Sequence, residues 1–371
     1  MALSPLVPRR SAAVVVVLVA ASIATACQEP RPTGAGSSGA VPTAQASAPL
    51  GAVLTTPEPS TAPTPSSSRD GGLLLLAGRP GAMALQWIAG DLRTPIALAD
   101  PDVAWISTDL AGRVLTTTRS GRAFLSGPLV PGREPTWRRL AIRVGDGATL
   151  PGPPSFGTLA PDGSQAAFLA ADFASGGPFD VLVVDVPGGS ADGTSRALPV
   201  ARPAEGAPPS WLDDRLVLLT RERGDAAGVT VLDPATGRVA DGPGPPSPAS
   251  TGPPRSGWSG PIAALSIAAD GSSLAVAEGF DGPVEIHLAR PWLADEPNEP
   301  AAVPLCPEPD GGGGLAWLAL DETGQRLAIV RTDADGDATE VTVHEAALGW
   351  AESRRIALPA GSVRAVVAWL P

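Results

Sequence analysis

The chain contains no tyrosine. It also has no lysine, and Asn298 is its single asparagine. Without tyrosine there is no phenolate nucleophile of the kind some glycosidases use, and without lysine there is no Schiff-base chemistry. The two histidines, His287 and His344, could hold a metal only with help from carboxylates. No G-x-S-x-G nucleophile elbow occurs, the nearest approach being "SGWSGP" around Ser259. Basic residues are few, 26 against 38 acidic, for a net charge of −12. That balance disfavours a nucleic-acid surface and gives no attraction to anionic lipid. The scarcity of lysine and asparagine fits a GC-rich coding sequence rather than a function.

The first seventy residues stand apart. Arg9 and Arg10 precede "SAAVVVVLVAASIATA", which ends in small residues before Cys27. Charge, length and ending are those of an export signal over residues 1–26, too short for a comfortable membrane span. "IATAC" resembles a bacterial lipobox, in which the cysteine is lipidated and heads the mature chain. Its departure is Ala24, where that motif prefers leucine. The twin arginines also suggest twin-arginine export, although "RRSAAV" lacks the usual bulky continuation. Residues 27–70 are dominated by Pro, Ser, Thr, Ala and Gly, as in "TTPEPSTAPTPSSS". Such a segment buries too little apolar surface to fold, so a tether is expected, reaching roughly 35–40 Å as a coil. With Cys27 lipidated, Cys306 has no disulfide partner, and "VPLCPEPD" reads as the end of a strand with an inert thiol.

From Gly71 onward the chain repeats itself. "ISTDLAGRVLTTTR", "TLAPDGSQAAFLA", "SIAADGSSLAVAE" and "ALDETGQRLAIVR" are each a strand, an acidic-Gly turn and a second strand. The turn glycines Gly112, Gly163, Gly271 and Gly324 are spaced 51, 108 and 53, and a degenerate copy, "PSWLDDRLVLLTRE", falls in the double gap. Trp105, Trp211 and Trp317 stand 106 apart, and Trp369 follows 52 later. Two further strand candidates follow each hairpin, such as "VEIHLA" with "AAVPL". Four strands per roughly fifty residues is the grammar of a β-propeller blade.

The last stretch, "SVRAVVAWLP", matches a leading strand without its followers. The first, "GGLLLLAG", "AMALQWIAG" and "TPIALAD", offers three followers without a leader. The expected fold is therefore an all-β, six-bladed propeller over residues 71–371. Its leading strands lie near Trp105, Thr158, Trp211, Leu265, Trp317 and Trp369, and the C-terminal strand closes the first blade. Seven blades is the alternative count. The "PDG" hairpin of "LAPDGSQAAFLA" resembles the TolB-like, WD40-like (PD40-type) propeller repeat of bacterial envelope proteins, with "TDLAG", "AADGS" and "LDETG" as looser matches. The resemblance implies architecture and is silent on ligand.

Three groups are candidates for chemistry. Asp333, Asp335 and Asp337 alternate as in a calcium loop, but Gly336 and His344 occupy the wrong places for one. A solvated turn between second and third strands is the competing reading. His287 and His344 fall at matching places in two third strands and read as structural. Arg255 and Trp258, near the end of the long "DGPGPPSPASTGPPRSGWSGP" connection, are the residue types favoured as interface anchors. Together these lead to a non-catalytic, lipid-anchored, extracytoplasmic propeller that requires no cofactor and binds envelope proteins. The alternative is a small-molecule or glycan-binding or hydrolysing propeller with its site at the channel mouth.

Overall fold

The structure, a computed structural model, describes residues 72–143, 149–186, 195–221, 227–242, 262–278, 284–289, 301–303 and 314–371. The signal, the tether, Cys27, Arg255, Trp258, Asn298 and Cys306 lie outside these residues. Six four-stranded antiparallel sheets follow one another along the chain.

Blade 1 holds β1 (Leu73–Arg79), β2 (Ala82–Ala89) and β3 (Leu92–Ile96). Blade 2 is β4 (Val103–Thr108), β5 (Val114–Thr118), β6 (Ala123–Ser126) and β7 (Trp137–Leu140). Blade 3 is β8 (Pro154–Leu159), β9 (Gln165–Ala170), β10 (Pro178–Asp185) and β11 (Ser195–Pro203). Blade 4 is β12 (Ser210–Leu212), β13 (Arg215–Arg221), β14 (Ala227–Leu232) and β15 (Val239–Asp241). Blade 5 is β16 (Ile262–Ile267), β17 (Ser273–Glu278), β18 (Val284–Leu288) and β19 (Ala301–Val303). Blade 6 is β20 (Leu315–Leu320), β21 (Arg326–Thr332), β22 (Ala338–Glu345) and β23 (Ala351–Ala357). The last strand, β24 (Arg364–Trp369), pairs with β1 from Leu73↔Trp369 to Gly78↔Arg364 and completes blade 1.

The leading strands touch in a closed cycle, β24 with β4, then β8, β12, β16, β20 and back to β24. This is the six-bladed ring with its C-terminal clasp, and it sets aside the seven-blade alternative. One detail differs from the sequence reading. The third strand of blade 1 ends at Ile96 instead of running through "TPIALAD", and Asp100 instead accepts the backbone N–H of Asp102 at 2.9 Å.

The apolar core is divided among the six seams between blades. Leu73, Leu75 and Ala77 of β1 pack with Val330, Val341 and Ile356 of blade 6. The intervening Leu74 and Leu76 pack with Val103, Ile106 and Val114 of blade 2. Both faces of a second strand are thus covered. That is why "LLLLA" and "LAVA" are continuous apolar runs rather than alternating ones.

Candidate functional site: the two ends of the channel

The leading strands line a central channel whose two ends are built differently. At one end lie the hairpin turns joining first to second strands. Their glycines adopt positive φ, +74° at Gly112, +67° at Gly163, +69° at Gly271 and +65° at Gly324, as the tight turns require. Asp109 accepts the N–H groups of Ala111 (3.0 Å) and Arg113 (2.9 Å) and pairs with the Arg113 guanidinium at 2.6 Å. Asp321 repeats this in blade 6 with Gln325, Arg326 and an Arg326 ion pair at 2.9 Å. The turns also join neighbouring blades: Leu110 N–H donates to the Pro161 carbonyl, Arg113 to Gly163, and Asp270 N–H to Glu322.

Above the turns, hydrogen bonds run between leading strands. Leu159 N–H donates to Ser107 Oγ, Leu320 N–H to Ser266 Oγ, and Thr108 Oγ1 to the Trp369 carbonyl at 2.6 Å. The indoles of Trp211 and Trp369 reach back one blade to the carbonyls of Thr158 (3.3 Å) and Ala319 (2.9 Å). Arg326 lies 4.5 Å over the Trp369 ring. The tryptophans of the repeat therefore include two that bolt blades together.

The other pair behaves differently. Trp105 and Trp317 each follow a β-bulge, which lies between Val103 and Trp105 in one strand and between Leu315 and Trp317 in the other. They sit three residue pairs above the last ladder pair of their hairpins. Trp211 lies one pair above it, and Trp369 forms the pair that opens β1. The even tryptophan spacing thus hides two heights in the channel. Neither Trp105 nor Trp317 makes the interblade indole bond; they stand edge to face at 4.8 Å across the channel. Phe156 continues the row, 5.5 Å from Trp105, and Phe173 ends it, 5.8 Å from Phe156 and 40 % exposed.

Phe156 occupies a third bulge, in β8, with a left-handed φ of +53°. A non-glycine residue held there costs on the order of 1–3 kcal/mol. Its neighbour must be Gly157, since a Cβ would fall 2.4 Å from Thr117 Oγ1 and 2.5 Å from the Phe168 ring. A fourth bulge precedes Ala264 in β16. The bulge residues Ala104, Phe156, Ala263 and Ala316 all face one cleft of about 710 Å³ at the mouth of the channel. Bulges re-aim side chains and are common beside functional sites. Trp105 and Trp317 form its floor and separate it from a void of about 150 Å³ on the turn side.

Charge enters at the rim. Glu205, Asp335, Asp337 and Arg364 line the cleft. Glu205 pairs with Arg221 at 2.8 Å, whereas the side chains of Asp335, Asp337 and Arg364 meet no partner among the described residues. The calcium-candidate triplet is thereby divided. Asp333 turns inward on its own loop and accepts the N–H groups of Asp335 (3.0 Å) and Asp337 (2.9 Å), with Gly336 at φ +82°. Asp335 and Asp337 face the mouth.

The histidines sit at matching register, opposite Leu274 and Leu327, and away from the cleft. His287 lies 3.0 Å from Glu285. His344 donates from Nδ1 to the Trp350 carbonyl at 3.0 Å and meets Thr342 Oγ1 through Nε2; burial holds its pKa below the ordinary histidine value. The long connection that carries Arg255 and Trp258 lies outside the described residues. Sequence reasoning passed over Phe156, Glu205 and Arg364. A bulge leaves no mark in apolar patterning, and the three residues come from three different blades or connections.

No protein-family model and no curated protein sequence matches the chain. Solved structures do match in fold. TolB from Acinetobacter baumannii is 15% identical over 81% of this chain and 67% of its own, with a TM-score of 0.53. A chain of the nidogen/laminin complex is 15% identical over 81% of this chain and 99% of its own, with a TM-score of 0.51. These likenesses establish a propeller of TolB-like fold. No helix among the described residues is long and apolar enough to cross a membrane.

Proposed function

We propose that this chain is a non-catalytic recognition module, held by a lipid on Cys27 at the extracytoplasmic side of a cell membrane, that binds a protein of the cell envelope at the mouth of its channel. The observation that carries this reading is the aromatic row Trp317, Trp105, Phe156 and Phe173, of which the first three line the cleft at the mouth. Aromatic anchors in a concave, largely desolvated site are what dominate binding energy in protein interfaces. The anchor rests on "IATAC" and the Pro/Ser/Thr-rich residues behind it. Gly72, the first described residue, lies at the turn end of the channel, its carbonyl accepting the Leu370 N–H at 2.8 Å. That a chain of the nidogen/laminin complex shares the fold supports a role in protein assembly.

A second reading is favoured by one observation. Carboxylates and an arginine converge on a concave cleft floored by tryptophan, which also suits a small molecule or glycan, bound or hydrolysed.

Capture of partners from the native envelope tests both. Trp317→Ala should abolish capture while leaving the circular dichroism melt cooperative, and Cys27→Ala should move the protein from the membrane to the soluble fraction. If Cys27→Ala still enters the detergent phase, the lipid anchor is wrong. Capture that survives Trp317→Ala removes the mouth as the binding site. Displacement of the captured protein by envelope oligosaccharides would favour the second reading.

A further inference from the structure

Resting on that reading, we infer that the mouth selects a cationic group on its occupant: an ammonium or guanidinium, supplied by a lysine or arginine side chain of the partner. Three observations lead there. Among the described residues, the unpaired groups on the rim are two carboxylates, Asp335 and Asp337, against one guanidinium, Arg364, so the vacant charge there is negative. The floor is aromatic, and aromatic rings attract cations that they also help to desolvate. Finally, Trp105, only 7 % exposed and part of the cleft wall, carries a buried indole N–H with no acceptor. An unpaired buried donor is costly and, with the strained Phe156 beside it, marks this end of the channel as the one built for a ligand. Because the proposed partner is a protein, its cation is a basic side chain.

Turn geometry explains why these acids are spared for a ligand. The Asp333 side chain accepts the N–H groups of Asp335 and Asp337, the remaining bonds of the β21–β22 turn run between backbone groups, and Gly336 supplies its positive φ. The side chains of Asp335 and Asp337 are therefore not needed to shape the loop.

The test uses the intact propeller with two blocked peptides, acetyl-Gly-Arg-Gly-amide and acetyl-Gly-Gln-Gly-amide, with spermidine as a free polycation, followed by calorimetry at low and high salt. The arginine peptide should bind saturably, weaken with salt as a charge-dominated contact does, and bind at least several-fold more tightly than the glutamine peptide. Asp335→Asn/Asp337→Asn should weaken it by up to about tenfold, the sum expected for two exposed charge pairs. Arg364→Gln should tighten it. Spermidine binding in place of the peptide would assign the site to free polyamines rather than to a polypeptide. Equal binding of the two peptides, or indifference to the Asn pair, would overturn the inference, as would binding of neither cation. Envelope capture separates this from the broader reading. If the partner is lost with Trp317→Ala but retained with the Asn pair, the mouth binds its partner without charge selection; if both variants retain it, the mouth is not the site.

Discussion

At the turn end of the channel, Asp109 and Asp321 each bind backbone N–H groups and an arginine. At the mouth, the side chains of Asp335, Asp337 and Arg364 bind nothing among the described residues. The same chain uses the same residue types in both places. The turn end consumes its polar groups in holding blades to one another, and its tryptophans Trp211 and Trp369 do likewise. The mouth keeps bulged strands, a strained Phe156 and an indole without an acceptor. Strain and unsatisfied groups persist only where the rest of the structure holds them. The division says that stability belongs to the seams and the turn end, and that recognition belongs to the mouth.

The harshest way to break that division is to cut the clasp. Deleting Val363–Pro371 removes β24, and with it Val366, Val367, Ala368, Trp369 and Leu370, all buried. Each large apolar side chain is worth roughly 1.5–3 kcal/mol, so the loss rivals the ~5–15 kcal/mol net stability of a domain. It also removes the Trp369 bond to Ala319 and bares the edge of β1. The truncated protein should aggregate or lose cooperative melting by differential scanning calorimetry. Removing residues 28–68 should leave Tm unchanged. A truncation that melts like the full chain would refute closure by the clasp.

Why the clasp was legible in the sequence, and the mouth was not, follows from the range of the interactions. The hairpins are local: an acidic-Gly turn between two apolar runs fixes a pair of strands within about fifteen residues, and all four of the leading hairpins named by Gly112, Gly163, Gly271 and Gly324 form. The orphan strand "RAVVAW" and the three leaderless strands that begin with "LLLLAGR" complete one another because each blade needs four. At the mouth, the decisive events are single extra residues, Ala104, Ala263 and Ala316, that no composition signals. Trp105 and Trp211 look equivalent by spacing, yet the structure places one on the cleft floor and the other in an interblade bond.

A milder break takes one residue from each end. Asp109→Ala leaves the Arg113 guanidinium with only its bond to the Gly163 carbonyl, and two N–H groups unpaired, around a carboxylate site whose side chain is fully buried. Removing one partner of such a pair costs about 3–5 kcal/mol when both are buried; with Arg113 partly exposed, about 2–3 kcal/mol is expected, with ligand binding retained by the folded fraction. Phe156→Gly should do the reverse. Phe156 is only half-buried, and relief of the left-handed φ offsets part of the lost ring packing. Chemical denaturation should therefore shift by about 1–2 kcal/mol, below the roughly 3–5 kcal/mol of a fully buried Phe truncation, while partner capture falls sharply. If Phe156→Gly destabilises more than Asp109→Ala, the mouth is structural and the division between the ends fails.

The smallest effect sharpens the comparison with a group that belongs to neither end. His344 lies in β22 with Nδ1–H donating to the Trp350 carbonyl, and Trp350 itself holds a φ of +64°. Burial is the main cause that lowers its pKa below the ordinary value near 6.5, ahead of the opposing pull of the Trp350 carbonyl and Glu352. Because the folded state gives up this proton more readily than the unfolded chain, the contribution of His344 to stability is fully present above about pH 6.5. It declines as the pH falls below that value and is lost once the pH passes through the lower folded-state pKa. The slope cannot exceed about 1.4 kcal/mol per pH unit for one proton. Urea midpoints measured between pH 7.5 and pH 5 should therefore drift downward in the parent protein, and His344→Gln, which keeps a donor for Trp350, should flatten the drift. Peptide binding at the mouth should not follow the same titration, since His344 is not among the residues that line the cleft. Binding that titrates in step with stability would mean that blade 6 transmits its protonation to Asp335 and Asp337 through β22, and recognition at the mouth would no longer be independent of the blade that carries it.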